Sequence, residues 1–95
     1  MRHATEHDLD QLDDLLAELR AVPELRERKR GYFSLRSTAF LHFHEDSGDF
    51  YVDVKLDGAF QRMRVSTRTD QLAFLRRVRQ EAAVAASSSS STRRR

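Results

Sequence analysis

The hydrophobic pattern of this chain changes period twice. Leu9, Leu12, Leu16 and Leu19 recur at spacings of three and four, with Leu15 and Val22 beside the same stripe and acids opposite, which predicts a helix over 8–22. Thr5 and Asp8 read as its capping pair, and Pro23, which has no amide proton, stops it. A short second helical turn is expected at 23–30, PELRERKR, carrying the basic cluster Arg26, Arg28, Lys29 and Arg30. From Gly31 to Val65 the period is two, and four strands are predicted at 32–36, 39–44, 50–56 and 59–65. Asp57-Gly58 is a strong hairpin signal and 46–49 a four-residue loop, whereas the connection Arg36, Ser37, Thr38 lacks glycine. Helical spacing returns over 69–83, where Leu72, Leu75, Val78 and Ala82 share a face and Thr67 with Asp70 forms a second capping pair. Residues 1–86 are thus expected to form one domain, and the serines and arginines of 87–95 a disordered tail.

Sorting the strands by parity separates two unlike faces. One collects Phe33, Leu35, Ala39, Leu41, Phe43, Phe50, Val52, Val54, Leu56, Ala59, Met63 and Val65, with Gln61 its one polar member. Only this face can receive the helical stripes. The predicted fold class is therefore α+β, a two-layer sandwich in which a four-stranded antiparallel meander carries an N-terminal and a C-terminal helix on one side, in the order α-β-β-β-β-α. The opposite face holds Tyr32, Ser34, Arg36, Phe40, His42, His44, Tyr51, Asp53, Lys55, Phe60, Arg62 and Arg64, which takes four of the eight aromatics and two of the four histidines. An ordinary solvated face would be richer in Thr, Glu and Ser.

The Asp57-Gly58 turn sets Asp53 across from Arg62 and Lys55 across from Phe60. If Glu45 lies opposite Phe50, His42 faces Asp53 and His44 faces Tyr51. A register displaced by two would pair His42 with Tyr51, and the sequence does not decide between them. In the first register the rows across the open face read Tyr32, His42, Asp53, Arg62 and then Ser34, Phe40, Lys55, Phe60. Each row also has a plain structural use, as a cross-strand charge cluster and as a cation over aromatic rings.

Charge changes the picture less than the total suggests. The chain has 17 Lys plus Arg against 15 Asp plus Glu, but without Arg93, Arg94 and Arg95 the balance is 14 against 15. Residues 1–24 carry two arginines against seven acids, and residues 25–86 twelve basic against eight acidic groups. There is no cysteine, so disulfides and thiolate zinc sites are excluded. The acidic start is unlike a targeting peptide, no apolar run is long enough to span a bilayer, and a cytoplasmic protein without membrane attachment is expected.

Three chemistries compete for the open face. His42 and His44 stand two apart on one strand, so both imidazoles project to one side and, with Asp53 or Tyr51, could share a divalent metal. Tyr32, Phe40, Tyr51 and Phe60 interleaved with Arg36, Lys55, Arg62 and Arg64 provide stacking and phosphate contacts for nucleic acid, against a near-neutral folded domain. A flat face rich in Tyr, Phe, His and Arg also has the composition of a protein interface, and the acidic and basic halves of the chain favour pairing between copies. No nucleophile elbow or glycine-rich phosphate loop is present. The reading taken is a binding or interaction module acting through Tyr32, Phe40, His42, His44, Tyr51, Asp53, Lys55, Phe60, Arg62 and Arg64, most readily as a homo-oligomer. Nucleic-acid binding and a metal site at His42, His44 and Asp53 are the alternatives, and neither a cofactor nor catalysis is expected.

The run YFSLRSTAFLHFHEDSGDFYVDVKLDG resembles the meanders of two groups of small bacterial proteins. In the luciferase-domain group a strand ending in His-x-His precedes a glycine turn and a strand bearing an aspartate, the pattern of His42, His44, Gly48 and Asp53 here. In the MmcQ/YjbR-like group a leading helix precedes a strand pair with an aromatic at the position of Phe40, and Ser37 and Thr38 stand where that group has Gly-Lys. The first resemblance does not imply a luciferase reaction. The second implies an α+β fold and DNA association.

Overall fold

The computed structural model describes residues 1–92, with side chains to residue 87. The chain runs through β1 (Arg2–His3), α1 (Glu6–Gln11), α2 (Asp13–Arg20), β2 (Leu25–Lys29), β3 (Tyr32–Leu35), β4 (Thr38–Asp46), β5 (Asp49–Leu56), β6 (Ala59–Arg64) and α3 (Arg68–Thr92). It is an α+β protein with one antiparallel sheet in the order β2-β3-β4-β5-β6, and β1 is added on β4. Among the described residues there are therefore six strands in the sheet and three helices, not the expected four and two.

Each departure has a local cause. The leucine stripe of the first helix continues, but the backbone breaks at Leu12 (φ −101°, ψ 17°), which divides it into α1 and α2. The Thr5/Asp8 capping box forms reciprocally and moves the helix start to Glu6. Segment 25–29 is strand β2 rather than a helical turn. Its Glu27 turns back to Arg20 (2.6 Å) and to the Gly31 amide (3.1 Å), so charge pairing replaces the apolar alternation that would have signalled a strand. The last helix continues to Thr92, into the serine segment expected to be unstructured, while residues 93–95 lie outside the described residues.

One core cluster joins the helices to the sheet. Leu9, Leu12, Leu15, Leu16 and Leu19 of the first two helices meet Phe33, Leu41, Phe43, Val52, Val54 and Leu56 of the strands, with Phe74, Leu75 and Val78 of α3. Phe43 and Phe74 pack edge to face, their ring centres 6.5 Å apart. Ala59 and Gln61, expected among the core-facing residues, are exposed because β6 is the outer strand there. Leu72, assigned to the buried stripe of the last helix, is also exposed, and Phe74 is buried.

The connection that lacked glycine is a two-residue turn in which Arg36 (φ 55°) and Ser37 (φ 66°) both adopt left-handed backbone. Hairpins use this twist, but usually with Asn and Gly, since other residues are strained there by about 1–2 kcal/mol each. Just beyond it, the pairing passes from Ser34↔Ala39 to Phe33↔Leu41, leaving Phe40 as the extra residue of a bulge. The bulge exchanges two expected assignments: Phe40 enters the core cluster and leaves the open face, and Ala39 becomes exposed.

Candidate metal centre

Hydrogen-bonded register brings the functional side chains into two adjoining rows. One runs Lys29, Tyr32, His42, Asp53, Arg62 across five strands. The other runs His3, His44, Tyr51, Arg64. The His42↔Asp53 pairing is the first of the two registers considered above. The second expected row does not form as written, because Ser34 pairs with Ala39 while Lys55 still faces Phe60.

His3 is the residue that sequence reasoning missed. Strand β1 has only two residues, too few to show a period, yet it lies against the half of β4 that β3 leaves uncovered. The Ala4 amide donates to the Phe43 carbonyl (3.0 Å), and Arg2 pairs with Asp8 (3.2 Å) and Glu45 (3.0 Å). These contacts set His3 beside His44 and bury the latter to 6% exposure, unusual for an outward-facing strand position.

The three imidazoles of His3, His42 and His44 form a triangle with ring centres 4.8 to 5.5 Å apart. One ligand nitrogen from each lies within 4.8 Å of the others. Nitrogens on a single tetrahedral ion sit about 3.3 Å apart, so modest side-chain rotation closes the set. Their hydrogen bonds leave lone pairs available. His44 Nε2 donates to Asp53 Oδ2 at 2.9 Å, while its Nδ1 is the one buried side-chain polar atom without a partner among the described residues. His3 Nδ1 and the Tyr32 hydroxyl share a hydrogen bond at 3.1 Å; in the tautomer protonated at Nδ1, Nε2 carries the lone pair. Tyr32 also stacks on His42 at 5.7 Å.

Asp53 supports this triangle from outside. Its Oδ1 accepts from Arg62 Nε (2.7 Å), and its Oδ2 accepts from both Arg62 Nη2 (2.8 Å) and His44 Nε2. His42 Nε2 is 3.7 Å away, beyond hydrogen-bond reach. Both oxygens are engaged, and the side chain that stands with His42 and His44 where Asp53 was expected is His3. A carboxylate that orients a ligating histidine fixes its tautomer and strengthens it as a donor. The Arg62 guanidinium, with His44 adding to it, holds the Asp53 carboxyl below its ordinary range. Burial, reinforced by the neighbouring His44, holds His42 below its ordinary range and keeps it neutral, the form that binds metal.

The remaining expected site residues divide. Tyr51 is half-buried and Phe60 is 51% exposed on the same face, its ring 6.3 Å from His42. Arg64 turns to Asp49 (3.0 Å) and Asp70 (2.9 Å), and Lys55 reaches no carboxylate among the described residues. No helix is long and apolar enough to cross a membrane among the described residues. Compared with protein-family models, curated proteins and solved structures, the chain matches none.

Proposed function

We propose that this protein is a metal-binding module in which His3, His42 and His44 hold one divalent transition-metal ion through imidazole nitrogens, with Asp53 and Tyr32 orienting two of them. The observation that carries the reading is His44. A buried nitrogen with no partner costs about 1–3 kcal/mol, and an ion taken up by this cluster of three imidazoles would satisfy it while Asp53 holds Nε2. Three neutral nitrogen donors without a thiolate suit zinc, nickel, copper or iron rather than calcium or magnesium. The set leaves a coordination position for water or for a ligand arriving over the open face.

Calorimetric titration of chelator-treated protein with zinc chloride tests this. One ion per chain is expected, with binding abolished in His44→Ala and strongly weakened in His3→Ala. His7→Ala, which removes the exposed histidine outside the cluster, should bind as the unaltered chain does. No uptake of zinc, nickel or iron, or uptake unchanged in the His42→Ala, His44→Ala double variant, would overturn the reading.

A further inference from the structure

Beside the histidine triangle, the open face carries more positive charge than strand parity revealed. Pairing of Arg26 with Ser34 and of Lys29 with Tyr32 puts two cations of β2 on this face. The register shift between Glu27 and Lys29 swings Arg28 over it as well, and its Nε donates to Ser34 Oγ (3.0 Å). Arg36 stands at the strained turn and Lys55 on β5. These five take part in no ion pair among the described residues, whereas Arg62 and Arg64 are neutralised by Asp53, Asp49 and Asp70. Glu24 and Glu81 border this surface, beside Arg26 and beside Lys55 respectively, and most other acids lie elsewhere. Glu6, Asp10 and Asp13 face Arg30, Glu18 faces Arg68, and Asp8 and Glu45 face Arg2. A near-neutral chain has thus segregated its charge.

The surface under these cations is hollowed. Two depressions of about 220 and 490 Å³ share Arg28, Ser34 and Ser37; the smaller reaches Arg26 and Arg36, and the larger reaches Tyr32 and His42. A third, of about 430 Å³, joins Arg36 to Lys55. Ser34, 4% exposed, anchors the floor. The cations are strung along this path instead of converging on one point, and Lys29 on β2 and Lys55 on β5 stand three strand spacings apart, roughly 14 Å. Spread charge of this kind matches a polyanion better than a single phosphate.

We infer that this face docks single-stranded nucleic acid, its phosphates on Arg26, Arg28, Lys29, Arg36 and Lys55 and unstacked bases on Phe60 and Tyr32. Phe60 is the exposed large apolar side chain of the sheet, and Lys29 Nζ sits 4.4 Å over the Tyr32 ring. Flat sheets with exposed rings stack splayed bases, and no helix or ribbon rises from this face to enter a duplex groove. A second copy is a poor occupant, because pairing this face with itself would bring two surfaces of like unpaired charge together. The inference does not depend on the metal site.

Fluorescence anisotropy with a labelled oligothymidylate, measured in chelator so that metal plays no part, tests the docking. Binding should weaken linearly on a log–log salt plot with a slope near −3.5, about −0.7 for each of five phosphates neutralised. The Arg26→Gln, Arg36→Gln, Lys55→Gln triple variant should bring the slope to about −1.4. Phe60→Ala should lower affinity about tenfold and leave the slope unchanged. Arg76→Gln with Arg79→Gln, on the outer side of α3, should change neither. Absence of binding at low salt, equal losses in the α3 variant, or equal affinity for polyglutamate would overturn the inference. So would salt-dependent dimerisation that the triple variant abolishes without any oligonucleotide binding.

Discussion

The two faces of one sheet are built on opposite terms. On the helix side Phe43, Val52, Val54 and Leu56 are almost wholly excluded from water, and what matters there is shape and apolar area. On the other side, one residue along β4 and β5, His44 and Asp53 are joined with Arg62 of β6 by directed hydrogen bonds and ion pairs, with His42 beside them, in a half-wet setting. The first face tolerates no polar atom without a partner; the second retains one, at His44 Nδ1. The difference teaches where stability and where chemistry reside, and substitutions can set the two apart.

The largest effect belongs to the core. Phe74→Ala should cost about 3–5 kcal/mol in urea unfolding, a large part of the stability of a domain of this size, with zinc binding retained wherever the fold survives. Next comes the ion. At a free zinc concentration a hundred times its Kd, the unfolding free energy should rise by about 2.7 kcal/mol, and this increment should vanish in His44→Ala. An equal increment in that variant would erase the proposed distinction between the faces.

Gly31 tests the seam between them. Its φ is +81°, and an added Cβ would lie 2.9 Å from Leu9 Cδ2, so Gly31→Ala should cost about 1–2 kcal/mol through backbone strain and displacement of Leu9. Equilibrium unfolding measures this; no loss would mean that the turn relaxes freely. The smallest effect is one of pH. His42 has its folded value held below the ordinary 6.5, so it contributes stability that is complete above pH 6.5 and lost as pH falls from there through the folded value. In chelator, the unfolding midpoint of the unaltered chain should decline with acid more steeply than that of His42→Gln. Asp53, likewise held low, adds a further decline only below about pH 4.

The central sheet was legible because its signals are local and redundant. Alternation through the strands and the Asp57-Gly58 turn fix the β5–β6 pairing and leave two registers for β4 on β5, of which the structure has His42↔Asp53 with a two-residue Ser47-Gly48 turn in place of the four-residue loop; both capping pairs form where they were expected. What escaped had no periodic signature. Strand β2 is LRERK, an edge strand whose charged residues find partners or solvent on either side. The Phe40 bulge follows from a two-residue turn meeting a register one residue longer, which only the assembled sheet reveals. The candidate site was half visible: His42, His44 and Asp53 came from spacing, His3 only from the pairing of β1. A histidine just ahead of the Thr5 capping box was the available hint, and it gained meaning only through contact with β4.

The slight attachment of β1 has a kinetic consequence. Two residues held by the Ala4 amide and the Arg2 ion pairs can open with little disturbance of the core, as weakly anchored segments do in local unfolding. An ion bound by His3 together with His42 and His44 would therefore have a door of its own. Its exchange rate would follow the opening of that short strand rather than the unfolding of the domain, allowing tight capture and rapid release to coexist.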